Sequence, residues 1–310
     1  MSRLGIALIL VVSACNAAPR SASSTTITRA PAATTTTTTT TTTTFTTTPA
    51  ETTSTVPPTT TSSAPARCRP DPFSEISSTL ASAYPGQLVT AHVHDLATGC
   101  EYSLNPGNRQ RTASVFKVLV LAGTLLEAQR GGRKVSEWEM SQLVPMITES
   151  ANSPVRSLWQ SFGGSPWFES MREEFGLEET TITADGGSAW GLTSTSARDQ
   201  VQLLRQVLIG EWGPIGSEYR EIAFDLMSSV TPGQTWGITA GVPEEWQVAQ
   251  KNGFAGITIN SVGWVDEPGA GPGYLVAILS QGWPDHPSGI GAVEVVSRAI
   301  AGTMTSPLPK

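Results

Sequence analysis

The sequence predicts a mixed α/β (α+β) fold, in which an antiparallel sheet flanked by terminal helices carries an inserted helical lobe. Alternating apolar residues, which are typical of strands, occur near both ends of the globular region, at 88–104 and 247–280. The stretch between them places apolar residues mainly at helical spacing. Strands from the two ends can bury their apolar faces by sharing one sheet. We therefore expect an α/β lobe of 68–113 with 230–310, and a helical lobe of about 114–229.

The first 14 residues predict a cleaved signal peptide. They hold one basic residue, Arg3, and an apolar run at 4–12 that is shorter than the roughly 20 residues of a membrane span. Small residues directly before Cys15 are similar to a bacterial lipobox, in which the cysteine is lipidated. An ordinary signal peptide cleaved nearby, with Cys15 incidental, is the alternative. The prediction is an exported bacterial protein, lipid-anchored to the cell membrane or envelope.

Residues 15–67 predict a disordered tether behind that lipidated end. They are mostly Thr, Ser, Pro and Ala, and include eleven consecutive threonines at 34–44. So few apolar groups cannot offset the entropy that ordering the chain would cost. Residues 68–310 are left as one globular domain, large enough for a substantial core.

The charge of the globular region excludes a nucleic-acid partner. Residues 68–310 contain 15 basic and 25 acidic residues, a net charge of −10. A surface that binds nucleic acid or anionic lipid needs an excess of positive charge. Contact with a membrane is therefore expected only through the N-terminal lipid.

Cysteine and histidine positions predict a disulfide and no metal site. Cys68 and Cys100 flank the first predicted strand, and in an exported protein such a pair is most simply a disulfide. A two-cysteine metal site is the weaker alternative. The three histidines, His92, His94 and His286, show no ligand spacing typical of a metal motif, so no metal or cofactor is expected.

The elements follow from periodicity and breaker residues. An amphipathic helix is expected at 71–83, a hairpin from strands 88–96 and 100–104, and a polar loop at 105–112. The helical middle is predicted at 114–126, 137–147, 155–159, 167–175 and 196–208. Strands at 247–251, 257–265 and 274–280, glycine-rich turns at 253–256 and 269–273, and a helix at 290–304 complete the chain.

Ser114 and Lys117 form the most informative pair in the sequence. They lie three residues apart at the start of an apolar segment, so in a helix they share one face. That spacing brings an amine close enough to take a hydroxyl proton, as nucleophilic catalysis by serine requires. The simpler interpretation is that Ser114 caps a helix and that Lys117 extends from it to water.

Two further short motifs follow in order, Ser150-Ala151-Asn152 in a helix break and Lys251-Asn252-Gly253 at the end of a strand. With Ser114-x-x-Lys117, this set resembles that of the serine β-lactamase and penicillin-binding protein superfamily, nearest to class A β-lactamases. The resemblance extends over 68–310. It implies a β-lactamase/transpeptidase-like fold and an acyl-serine mechanism without a cofactor.

The resemblance also implies roles for the matching residues. Ser114 is the nucleophile, Lys117 is the base or proton relay, and Ser150 passes a proton to the leaving nitrogen. Asn152 holds the Lys117 amine or the substrate amide, and Lys251 attracts a substrate carboxylate and tunes Ser150.

Three more positions complete the implied site. Asn252 and Gly253 belong to the substrate-binding strand, and the Asn252 amide can still donate a hydrogen bond to the substrate. The oxyanion hole is formed by the backbone N–H groups of Ser114 and Phe254.

The sequence departs from the class A pattern in three places. The Glu-x-x-Leu-Asn loop that activates water is absent from 178–196, where Glu178, Glu179 and Asp185 match no such motif. Ala151 replaces the usual aspartate, and Asn252 replaces the usual serine or threonine. The missing glutamate predicts slow deacylation. The spacing from Lys117 to Ser150 is also short against full-length class A enzymes, which implies a trimmed helical lobe and a wider, less β-lactam-specific cleft.

The resulting prediction is an exported serine hydrolase that forms an acyl-enzyme at Ser114. Its implied substrate is a β-lactam or a peptidoglycan-type amide or ester. The alternative is a non-catalytic envelope lipoprotein that uses the same fold as a ligand-binding or scaffolding module, which the departures at Ala151 and Asn252 favour.

Overall fold

The computed structural model describes residues 67–183, 189–269 and 271–308. The predicted signal peptide, Cys15, the tether up to residue 66, and Asp185 lie outside the described residues. Within the described ranges, no helix is both long and apolar enough to cross a membrane.

A five-stranded antiparallel sheet in the order β2-β1-β7-β6-β5 forms the centre of the fold, as predicted. Its strands are β1 (Leu88–Asp95), β2 (Glu101–Leu104), β5 (Gln247–Ala255), β6 (Thr258–Glu267) and β7 (Gly271–Gln281). The β5 strand runs through Gly253, where the sequence predicted a turn. The predicted polar loop at 105–112 contains a short strand, β3 (Gln110–Arg111), which pairs with β4 (Ser194–Thr195).

The helices of the described residues are α1 (Ile76–Ala83), α2 (Lys117–Arg130), α3 (Glu137–Thr148), α4 (Ser153–Phe162), α5 (Ser165–Glu174), α6 (Ala197–Leu204), α7 (Ser217–Ser228) and α8 (His286–Met304). Helix α1 is shorter than predicted, because the segment before it forms a turn. In that turn the Asp71 side chain accepts a hydrogen bond from the backbone N–H of Phe73. Helix α6 continues as one π-helical turn, Arg205–Ile209. The sequence analysis missed α7 altogether.

Two apolar cores lie on the two faces of the sheet. Helices α1 and α8 cover one face, where Val93, Ile278 and Val296 are fully buried. The second core is built around α2, which is buried along almost its whole length. The apolar run after Lys117 is therefore the central helix of the helical region.

The predicted disulfide between Cys68 and Cys100 is present, with the two Cα atoms 5.7 Å apart. It ties the start of the described chain to the residue before β2. The bond closes a loop that contains α1 and β1. It stabilises the fold mainly by restricting the conformations of the unfolded chain.

A buried polar cluster lies between β1, β2 and the end of α6. His92 Nδ1 lies 2.8 Å from Ser103 Oγ, and His92 Nε2 lies 3.6 Å from the Glu101 carboxylate. Burial lowers the pKa of His92 from 6.5 to about 4, although the Glu101 charge opposes the shift. The positive charges of Arg198 and Arg205 act in the same direction as burial. His92 is therefore neutral in the folded protein near neutral pH.

We expect the free energy of unfolding to fall as the pH drops from 6.5 towards 4. Unfolded His92 takes up a proton near pH 6.5, whereas folded His92 does so only near pH 4, so the unfolded state binds more protons within this window. The shift corresponds to a loss of about 3 kcal/mol. Urea unfolding at a series of pH values measures the slope, which should be shallower in His92→Gln.

The exposed His286 offers a matched control for this experiment. His286→Gln removes a histidine without removing a buried one, so the slope between pH 4 and 6.5 should stay as in the unmodified protein. Equal slopes in all three proteins would contradict the assignment to His92.

Candidate active site

Ser114 lies on a tight 3-10 turn, Ala113–Phe116, that leads directly into α2. Ala113 adopts φ +44°, a left-handed conformation that residues other than glycine rarely adopt. Thr112 donates its backbone N–H to the carbonyl of Thr193 at 2.8 Å, which fixes the approach to the turn. Ser114 is consequently half-buried at the start of a rigid helix.

The Lys117 side chain is wholly buried, with four oxygen atoms around its amine. Nζ lies 2.9 Å from Ser114 Oγ, 2.8 Å from Asn152 Oδ1, and 2.6 Å and 3.2 Å from the carbonyl and hydroxyl oxygens of Ser150. This position excludes an extension of Lys117 to water.

The four neighbours of Lys117 leave room for a neutral amine. The carbonyl oxygens of Ser150 and Asn152 only accept hydrogen bonds, so they take two N–H groups. A neutral amine has two N–H groups and one lone pair, and the lone pair can accept the Ser114 hydroxyl proton. The shell can thus hold a neutral amine that accepts the Ser114 proton, and it can also hold an ammonium group that donates to Ser114 Oγ.

Burial accounts for a low proton affinity at both lysines of the site. It lowers the pKa of Lys117 from 10.5 to about 7. Burial also lowers the pKa of Lys251 to about 7, and the charge of Lys117 adds to the effect. Both amines therefore titrate near neutral pH.

Ser150 connects the two lysines. It lies in the break between α3 and α4 and adopts φ +63°, again a left-handed conformation. Its hydroxyl oxygen lies 3.2 Å from Lys117 Nζ and accepts a hydrogen bond from Lys251 Nζ at 2.9 Å. The second Lys251 bond goes to the carbonyl of Asn252 at 2.9 Å. A proton can therefore move between the amines through one hydroxyl.

Gly253 allows β5 to reach the backbone of the nucleophile turn. A Cβ atom there would lie 2.9 Å from the Val115 nitrogen and 3.0 Å from both the Ser114 nitrogen and the Thr112 oxygen. Only glycine permits so close an approach. The following residue, Phe254, lines the same cleft as Ser114.

The open cleft beside Ser114 has a volume of about 260 Å³. Its lining includes Ser114, Asn152, Phe254, Arg111, Trp190, Leu192 and Thr258. No carboxylate lines this cleft among the described residues, and Arg111 is the ionisable group on its described surface. The cleft is therefore suited to a negatively charged ligand.

Trp190 is a residue of the site that the sequence motifs did not indicate. Its ring stacks on Phe116 with centroids 5.8 Å apart and lies 5.2 Å from Lys117 Nζ. The indole thus covers the lysine on the side towards the cleft. Its contacts are tertiary, and no local pattern around Trp190 could have revealed them.

Asn252 does not face the cleft, although the sequence placed it in the substrate-binding set. Its side-chain N–H groups donate to the carbonyls of Gln234 at 2.7 Å and Trp236 at 3.0 Å. Its oxygen accepts from the Ser261 hydroxyl at 2.6 Å. Successive strand residues point to opposite faces, so Asn252 points away from the side that Lys251 faces. It anchors the 234–236 segment to β5.

The structure thus brings together Ser114, Lys117, Ser150, Asn152 and Lys251, and it leaves the Asn252 side chain outside. Within the described part of the chain, no group of three or more histidine, cysteine or acidic side chains is arranged to hold a metal ion.

The chain is similar to known proteins in sequence and in fold. Residues 134–304 match the model of a family described as the beta-lactamase enzyme family. The matched range contains Ser150 and Lys251 and begins after Ser114. No curated protein matches the chain.

Three solved structures illustrate the likeness in fold. PBP-A is 21% identical, covers 73% of this chain and 93% of its own, and has a TM-score of 0.65. A beta-lactamase from Xanthomonas campestris pv. campestris is 17% identical, with 73% and 95% coverage and a TM-score of 0.65. An ancestral class A beta-lactamase (GNCA) is 20% identical, with 74% and 99% coverage and a TM-score of 0.64. The predicted β-lactamase/transpeptidase-like fold is confirmed.

Gly253→Ala should destabilise the protein by about 1–3 kcal/mol, because the new methyl group meets backbone atoms that cannot move independently. Urea unfolding measures the loss. Gly233→Ala is the matched control, since a Cβ at Gly233 meets nothing within 4 Å. Equal stability of the two variants would contradict the close approach of β5 to Ser114.

Proposed function

Because the chain belongs to the beta-lactamase enzyme family, we propose that it is a serine hydrolase that forms an acyl-enzyme at Ser114. The observation that carries the proposal is the 2.9 Å contact between Ser114 Oγ and a wholly buried Lys117 amine. The substrate is a β-lactam or a peptidoglycan-type amide or ester.

Acylation follows from the positions of the polar atoms. Neutral Lys117 takes the Ser114 hydroxyl proton as Oγ bonds to the carbonyl carbon. The carbonyl oxygen becomes negative and is stabilised by the N–H groups of Ser114 and Phe254. When the C–N bond breaks, the Ser150 hydroxyl gives its proton to the leaving nitrogen. Lys117 or Lys251 then returns a proton to Ser150.

Two observations favour this function over a purely structural role. Ser114 caps neither the turn that carries it nor α2, because the N-cap residues of these elements are Thr112 and Phe116. The Lys117 amine is buried beside three polar side chains, an arrangement that costs stability and serves no packing purpose.

Substrate selection is proposed to rest on positive charge. Lys251 lies behind Ser150, and Arg111 is exposed on the cleft lining. Both attract a substrate carboxylate, and the described lining holds no carboxylate to repel it. Asn252 uses its hydrogen-bonding groups inside the protein, so the carboxylate depends on these cations.

The acyl-enzyme is proposed to be long-lived. Water must be deprotonated to attack the ester, and the cleft lining offers no described carboxylate for this step. Trp190 occupies the space next to Lys117. Export and lipid anchoring through Cys15 belong to the same proposal and rest on the sequence alone.

Incubation with benzylpenicillin should add the mass of one penicilloyl group to Ser114, observed by intact-protein mass spectrometry and peptide mapping. Ser114→Ala should show no adduct, and Lys117→Ala should react at least about a hundredfold more slowly, because general-base catalysis contributes roughly that much. The adduct should persist after excess penicillin is removed.

Ser157→Ala removes a half-buried helical serine that does not line the cleft, and it should acylate normally. An unmodified wild-type protein, or equal labelling of wild type and Ser114→Ala, would refute the proposal and leave the non-catalytic module. Rapid loss of the adduct would refute only its slow release.

The acylation rate should rise with pH through a midpoint near 7 and level off above about 8. Lys117 acts as a base only when uncharged, and its pKa of about 7 sets the midpoint. Lys251 titrates in the same range, so Lys251→Gln is needed to separate the two groups. The rise should persist in that variant. Stopped-flow acylation between pH 5.5 and 8.5 tests this, and a pH-independent rate would contradict it.

A further inference from the structure

A second cavity, of about 290 Å³, opens at the other edge of the sheet. Its lining includes His92 on β1, Ser103 on β2 and residues at the start of α6. Strand β5, which carries Lys251, lies at the opposite edge of the sheet from β2. With neighbouring strands about 4.8 Å apart, strands β2 and β5 are separated by roughly 19 Å. The second cavity is therefore independent of the Ser114 cleft.

Two opposite charges line this cavity without pairing. Arg198 is exposed in the first turn of α6, and Glu179 lies on the lining beside it. The backbone N–H of Glu179 donates to Asp199 Oδ2 at 2.9 Å, and Asp199 is the residue after Arg198. This bond holds the backbone of Glu179 close to the first turn of α6. Neither side chain makes an ion pair or a hydrogen bond with a described residue.

The other ionisable groups of the lining already have partners within the protein. Glu101 pairs with Arg205 at 2.9 Å, and Arg205 also pairs with Glu211 at 2.9 Å. His92 is buried and its Nδ1 lies 2.8 Å from Ser103 Oγ. The unpaired charges that a ligand meets are therefore one guanidinium and one carboxylate.

The start of α6 adds hydrogen-bond donors on the side of Arg198. The Ser196 side chain accepts from the Asp199 N–H at 3.0 Å. The N–H groups of Ala197 and Arg198 have no acceptor among the described residues. These groups and the guanidinium favour a carboxylate.

We propose that this cavity binds a small zwitterion, namely an amino acid or a short peptide with free amino and carboxylate groups. Arg198 and the N–H groups at the start of α6 hold the carboxylate, and Glu179 holds the ammonium group. A simple anion is disfavoured because Glu179 repels it, and a simple cation is disfavoured because Arg198 does.

The test uses the full chain carrying Ser114→Ala, so that it does not depend on any reaction at Ser114. L-alanyl-L-alanine is titrated into the ¹⁵N-labelled protein, and the amide shifts of 196–198 and 179 are followed. These shifts should saturate. N-acetyl-L-alanyl-L-alanine and L-alanyl-L-alanine amide, which each lack one charge, should bind at least about tenfold more weakly.

Arg198→Gln and Glu179→Gln should each weaken binding of the free dipeptide at least about tenfold. Arg156→Gln, which removes an exposed arginine from α4, should leave the affinity unchanged. Three results would each overturn the proposal: no saturable shifts at tens of millimolar dipeptide, equal affinity for the capped peptides, or unchanged affinity in both charge variants.

Discussion

The burial of the Lys117 amine is the constraint on which the rest of the site depends. The apolar helix α2 keeps water away from the side chain, so the charged form loses its hydration. Hydrogen bonds must then come from protein groups, and two segments of the chain supply them, the turn that carries Ser114 and the break at 150–152. Two of the four surrounding oxygens can only accept, so a neutral amine can donate to both and keep its lone pair for the Ser114 hydroxyl. The chemistry of Ser114 is thus a consequence of how α2 is packed.

Several unusual backbone features serve this one arrangement. Ala113 and Ser150 adopt left-handed conformations on either side of the amine. Gly253 lets β5 approach the turn that carries Ser114 more closely than any side chain would allow. Such strained or crowded positions cost stability and are typical of functional sites. Here they accompany the contact between the Ser114 hydroxyl and the Lys117 amine.

The sequence could predict the parts of the site that depend on local spacing or on short motifs. Ser114 and Lys117 are neighbours because they are three residues apart on a helical segment, and Ser150 and Lys251 were recognisable from their motifs. The sequence analysis did not predict the orientation of the Asn252 side chain. Side chains alternate between the two faces along β5, so Asn252 and Lys251 point to opposite faces. Trp190 joins the site through tertiary packing, which no local pattern encodes. The sheet was predicted because its strands have clear periodicity, whereas α7 was overlooked between breaker residues.

Direct titration of the Lys117 amine tests the central claim most directly. Selective ¹⁵N labelling of lysine, with assignment by Lys117→Arg and Lys251→Arg, allows the Nζ shift to be followed by NMR from pH 5 to 11. The account predicts a midpoint for Lys117 near 7, well below the ordinary 10.5, as burial requires. A midpoint close to 10.5 would mean that the amine is an ammonium ion at neutral pH, and it would contradict the role of Lys117 as the base beside Ser114.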